Sequence, residues 1–97
     1  SNRFISIGRF RYVLSVSVIV SMVILLLHSV LKSKLNNNVA NIYFFEQKKY
    51  QLGLNYYHKA LQYSEQTKDS VKIYLRKLNM TWAYFEINKF KEGKAYL

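Results

Sequence analysis

Cysteine and proline are both absent from the 97-residue chain, and glycine occurs only as Gly8, Gly53 and Gly93. Without cysteine there is no disulfide and no thiolate metal site, and the redox compartment stays open. With no proline and so little glycine, neither a turn-rich β fold nor a disordered segment is favoured. Acidic residues are scarce too: Glu46, Glu65, Asp69, Glu86 and Glu92 are the whole set. His28 and His58 lack a metal-type partner three or four residues away, and His58, between Tyr57 and Lys59, reads as solvated. No Gly-rich phosphate loop or nucleophile elbow is present. Glu46 and Glu86 stand forty residues apart, on separate exposed turns rather than as a catalytic pair. The chain is expected to be no enzyme and to use no cofactor or metal.

What is present in quantity is positive charge. Fifteen Lys and Arg give a net charge of +10. Residues 1–35 carry five basic groups and no acid, and residues 36–97 carry the remaining ten. That balance suits an acidic partner, an anionic lipid or nucleic acid. The lysines are dispersed in runs of at most two, so no nucleic-acid-binding stripe is formed, and no direct nucleic-acid contact is expected of this segment. The chain does not begin with Met and ends inside an apolar-periodic segment, which suggests a piece of a longer protein.

Three windows align at a spacing of forty: residues 4–10, 44–50 and 84–90. Each has two bulky apolar residues, a polar stretch, a basic residue and an aromatic. Gly8, Lys48 and Asn88 share one column, and Gly and Asn enter the left-handed conformation of a helix-ending turn cheaply. Between the windows the period is helical: Val71, Leu75, Leu78, Trp82 and Phe85 make one apolar stripe. Shifted by forty, that stripe reads Leu31, Leu35, Asn38, Ile42 and Phe45. Tyr50, Gly53, Leu54, Tyr57, Ala60, Leu61 and Ser64 form the packing face of a second helix. Asp69 is placed to cap the helix that follows, with Ser29 in the equivalent earlier position. The expected architecture is all-α, an α-solenoid of stacked helical hairpins with a period of about forty residues.

Val39-Ala40-Asn41-Ile42-Tyr43, followed by Lys49-Tyr50, Gly53, Tyr56-Tyr57 and Lys59-Ala60-Leu61, resemble a tetratricopeptide repeat (TPR). That family places a large-then-small pair in its first helix, as Val39 and Ala40 do. It opens its second with an aromatic, a small residue, an aromatic and an Ala, as Tyr50, Gly53, Tyr57 and Ala60 do. One extra residue lies between Tyr43 and Tyr50, so the junction is atypical. A second unit, Trp82 through Phe90, Gly93 and Leu97, is similar but cut short. The resemblance covers residues 33–97. The long period is also similar to the degenerate repeats of peptide-pheromone-sensing transcriptional regulators of Gram-positive bacteria (the Rgg and PlcR type). That likeness implies a quorum-sensing regulator whose repeat array binds a peptide and dimerises.

Residues 12–31 run twenty positions without a charge, between Arg9 and Arg11 on one side and Lys32 and Lys34 on the other. The length meets the criterion for a membrane-spanning helix, and Ser17 and Ser21 have a spacing that packs such helices. The competing reading makes residues 1–32 an apolar helical segment that is helix B of a preceding repeat, with a turn at His28-Ser29. The repeat alignment favours the second, and with it a cytoplasmic protein; a membrane-anchored scaffold that recruits partners through its repeats is the other possibility.

The resemblance implies a concave groove lined by the first helix of each repeat. Carried over, it puts Lys34, Asn37 and Asn41 in one unit and Tyr74, Lys77 and Thr81 in the next. Asn37 and Asn41 stand one turn apart, and their amides suit the backbone of an extended peptide. Lys34 and Lys77 suit a carboxylate. Tyr50, Tyr57, Trp82 and Phe85 read as core. Tyr43, Tyr56, Tyr63 and Tyr96 read as an outward surface for a partner or a homodimer. The expected partner is a peptide or protein.

Overall fold

The computed structural model describes the backbone of residues 2–97 and the side chains of Arg9 and residues 11–97. About 88% of the chain is helical and no strand forms among the described residues, so the protein is all-α. Helix α1 (Asn2–Asn41) continues as a π-helical turn, Ile42–Glu46. Helix α2 (Tyr50–Thr67) returns antiparallel along the C-terminal part of α1. Helix α3 (Ser70–Glu86) follows, and a short α4 (Phe90–Lys94) folds back on it. The radius of gyration is 20.1 Å, where a compact domain of this length would have about 13 Å. The excess comes from the N-terminal half of α1, which projects alone and stretches the molecule to 72 Å.

The expected turn at His28-Ser29 is not there. No Gly or Pro interrupts this stretch, and the Ser29 hydroxyl donates to Gln66 Oε1 at 2.9 Å instead of capping a new helix. The expected apolar segment is therefore not a helix separated by a turn from the hairpin; α1 runs from Asn2 through both. Gly8 likewise lies inside α1 rather than in a turn.

The other two members of that column do end helices. Lys48 and Asn88 both have positive φ, 58° and 61°. Lys49 and Lys89, next in the chain, have nearly equal dihedrals, φ −88° ψ 75° and φ −95° ψ 67°, and open α2 and α4. Lys49 N–H donates to the Tyr43 carbonyl and Lys89 N–H to the Tyr84 carbonyl, each at 2.8 Å. The acceptors are forty-one residues apart although the donors are forty apart. The residue left over is accommodated in the π-helical turn, where Gln47 N–H reaches back to the Ile42 carbonyl. Before the turn the two hairpins correspond at a spacing of forty-one. Tyr43 stacks on Tyr56 as Tyr84 stacks on Tyr96, and Phe44 meets Tyr50 as Phe85 meets Phe90.

Ala40, Phe44, Leu54, Tyr57, Leu61, Met80 and Ala83 form the core. Helices α1 and α2 approach closely because Gly53 has no side chain: a Cβ there would lie 2.6 Å from the Phe44 Cβ. Asp69 caps α3, accepting from the backbone N–H of Val71 and Lys72 at 3.0 and 3.3 Å, as the sequence predicts. The rotation of α3 differs from the expected one. Val71 and Trp82, in the stripe assigned to packing, are 66% and 64% exposed, and Leu75 is exposed beside them. The buried side is Met80, Thr81 and Ala83, with Ile73, Tyr84 and Ile87 partly buried against the core. Helix α3 has two apolar arcs, and its polar bonds to α1 choose between them. Trp82 and Tyr50 are thus not core, Phe85 is half-buried, and Tyr57 is core as expected.

This rotation separates two neighbouring substitutions. Met80→Ala should destabilise by about 2–5 kcal/mol through the cavity it leaves. Trp82→Ala should stay within about 0.5 kcal/mol, as exposed positions do. Urea unfolding followed by circular dichroism measures both, and equal losses would mean that α3 is rotated the other way.

Candidate functional site

Ser29, Ser33, Asn37 and Asn41 repeat every fourth residue on α1, and each has an interhelical partner. Ser29 holds Gln66 on α2. Ser33 Oγ donates to the Ala60 carbonyl at 2.8 Å and accepts from Arg76 Nε of α3 at 2.9 Å. Asn37 Oδ1 accepts from Asn79 Nδ2 of α3 at 2.8 Å. Asn41 Oδ1 accepts from the Tyr57 hydroxyl. The first three are buried. Burial makes these bonds directional constraints, because an unmatched partner would be left dry. Arg76 is half-buried against Ser33, and desolvation lowers its pKa.

This places the six expected groove residues unevenly. The Asn37 and Asn41 carbonyls do not face one ligand; they turn to α3 and to α2 respectively. Thr81 is buried, and its hydroxyl bonds the Lys77 and Gly93 carbonyls at 3.0 and 3.2 Å. Lys34 is exposed on α1. Tyr74 and Lys77 are brought together, in a cleft of about 360 Å³ shared with Ser70, Ile73, Ala95, Tyr96 and Leu97. None of the other four expected residues lines that cleft. Ser33, Arg76 and Asn79 were not among the expected site residues; the every-fourth polar spacing on α1 was the signal for Ser33.

The aromatic residues expected to face outward are half-buried instead, for Tyr43, Tyr56, Tyr63 and Tyr96 alike. His58, read as solvated, is half-buried. Its Nε2 lies 3.2 Å from the Tyr84 hydroxyl and its ring meets Tyr84 and Tyr96 edge-on. Burial lowers the His58 pKa. The Tyr84 pKa is raised, first by burial and then by Tyr96 and Glu92. Burial pushes Tyr57 up to about 12.

The largest uncovered surface is the projecting half of α1. Residues 11–28 are all exposed, and from Tyr12 to Leu27 they are apolar except for three serines. At about 1.5 Å per residue this is roughly 27 Å of helix, close to the roughly 30 Å of a bilayer's hydrocarbon core. Comparison of the chain with protein-family models, with curated proteins and with solved structures gives no match. The geometry defines the class: an all-α protein in which helical hairpins are carried on one end of a long apolar helix.

Two measurements check the interhelical bonds. Ser33→Ala leaves Arg76 and the Ala60 carbonyl without their partner and should cost about 1–3 kcal/mol, while Ser15→Ala on the projecting helix should cost nothing in the hairpin transition. The Tyr57 phenol, held protonated in the fold, stabilises fully below the ordinary tyrosine pKa near 10. That contribution is lost as pH rises towards 12, by up to about 3 kcal/mol. Tyr57→Phe should therefore be the less stable protein at pH 7, for want of the Asn41 bond, and should lose less than the parent between pH 10 and 12. Parallel slopes in that range would show that the phenol is not buried.

Proposed function

We propose that the chain is a membrane-anchored TPR-like module that holds a protein or peptide partner beside the bilayer, and that it catalyses nothing. The observation carrying this reading is the uninterrupted exposed apolar stretch of α1, residues 12–27, with Arg9 and Arg11 before it and Lys32 and Lys34 after it. A soluble protein would leave that surface in water. Basic residues at both ends match the preference of cationic side chains for the interfaces of a spanning helix.

The partner-binding part of the reading rests on the repeated hairpin geometry and on exposed apolar and aromatic groups of α3. Val71, Leu75 and Trp82 face away from the core, and Tyr74 and Lys77 border the cleft with Tyr96. Tyr and Trp are enriched at protein interfaces, and an extended peptide with an acidic group suits this basic, aromatic surface. The peptide-sensing reading of a cytoplasmic regulator needs the same hairpins but also needs residues 11–28 covered by other protein.

Fractionation of cells expressing residues 1–97 separates the two. The protein should pellet with membranes, resist alkaline carbonate extraction and be released by detergent. Val20→Lys with Ile24→Lys should shift it to the soluble or aggregated fraction, since each charge at a span's centre costs about 3 kcal/mol. A soluble, helical, monodisperse parent without detergent would overturn the anchor and favour the cytoplasmic regulator.

A further inference from the structure

One polar cleft lies between α1 and α2. It has a volume of about 400 Å³ and is lined by Lys32, Asn36, Lys59, Gln62, Tyr63 and Gln66. Two lysines and no acid border it; Glu65, next to Gln66 in sequence, is not part of the lining. Gln66 uses its carbonyl oxygen on Ser29, which leaves its amide nitrogen as a donor. Lys59 Nζ lies 4.9 Å from the centroid of the Tyr56 ring. Asn36 Nδ2 is spent on the Lys32 carbonyl at 2.8 Å. The two lysines, the Gln62 and Gln66 amides and the Tyr63 hydroxyl are left as donors around a space large enough for a phosphate group.

The position of the cleft along α1 narrows the ligand. The Ser29–Gln66 bond and the edge contact of His28 with Tyr63 put its lower end beside the last uncovered residues of the projecting helix. Lys32 lies roughly 7 Å along the axis beyond Leu27, and Asn36 roughly 13 Å beyond it. The headgroup layer of one leaflet is about 5–8 Å thick. With residues 12–27 in the hydrocarbon, Lys32 sits at phosphate depth and the cleft opens across the boundary with water. Basic pockets between helices at this depth hold anionic headgroups.

We propose that this cleft binds a phosphate group, and that the group is the headgroup phosphate of an anionic lipid. The choice of lipid over free phosphate rests on the membrane reading above. Lys32 and Lys59 supply the charge, and the Gln62 and Gln66 amides and the Tyr63 hydroxyl supply directional donors. A zwitterionic lipid carries the same phosphate with a compensating cation, so the two lysines discriminate against it.

The test uses the full chain in a neutral detergent, with side-chain amide NMR signals of Asn36, Gln62 and Gln66 as reporters. Three titrants are compared: dihexanoyl phosphatidylglycerol, dihexanoyl phosphatidylcholine and inorganic phosphate. Phosphatidylglycerol should shift these signals with an affinity at least tenfold above phosphatidylcholine. A basic residue near an anionic surface is worth about fivefold in affinity, so Lys32→Gln with Lys59→Gln should weaken binding about 30-fold. Lys91→Gln, far from the cleft, should change nothing. If the double variant fails to fold by circular dichroism, Gln62→Glu places a repelling charge in the same cleft and should weaken binding at least tenfold. Equal affinity for both lipids, or no response to any titrant, overturns the site. Tight inorganic phosphate binding with no lipid preference overturns the lipid assignment. A chain that fractionates as soluble yet binds phosphate here overturns the anchor and with it the lipid assignment, and keeps the phosphate site. A carbonate-resistant chain whose cleft ignores all three titrants keeps the anchor and loses the site.

Discussion

Each buried polar side chain on the hairpin half of α1 meets a partner on another helix, and the arrangement of the other helices follows from that requirement. Ser29, Ser33 and Asn37 are buried, so a missed hydrogen bond would cost about 1–3 kcal/mol each. The Ala60 carbonyl and Gln66 set the height of α2 on α1. Arg76 and Asn79 set the rotation of α3. Apolar packing alone would not decide that rotation, because α3 offers two apolar arcs of similar character. Ser33 is the junction, since its single hydroxyl serves a backbone carbonyl of α2 and a guanidinium of α3 at once.

The same helix has a second task at its other end. Fully burying a large aliphatic side chain is worth about 1.5–3 kcal/mol, and α1 leaves a dozen or so in the open. The sum is tens of kcal/mol, larger than the net stability of a small domain. A surface of that size calls for a cover, and the function proposed above assigns lipid to it. Because α1 has no hinge between the apolar rod and the hairpin, the hairpins would be held at a fixed height above the bilayer. A rigid connection of that kind gives a meaning to depth: the Lys32–Lys59 cleft, the α2–α3 turn and the exposed start of α3 all lie towards the apolar rod, and Trp82 and the Lys48 and Asn88 turns lie away from it.

The two hairpins are built on one plan, down to the stacked tyrosine pairs and the left-handed residue in each turn. At the turn they differ by the extra residue in the first, which a π-helical turn absorbs ahead of Lys49 and Gly53. A change of register by one residue in a helix would rotate everything beyond it by about 100°; confining it to the last turn leaves the packing of α2 intact.

The sequence by itself determined the helical class, the cap at Asp69, the buried face of α2 and the turns at Lys48 and Asn88, because each depends on residues close together in the chain. It also marked out the apolar run and the extra residue before Tyr50. Tertiary structure alone decided that α1 does not turn at His28, that Met80 rather than Trp82 is core, and that the Asn37 and Asn41 amide oxygens and the Thr81 hydroxyl bond other groups of the protein. It also made the basic cleft, from Lys32 on one helix and Lys59 on another. These depend on which neighbour a side chain meets. Periodicity records that a helix has an apolar or polar side; it does not record what stands opposite.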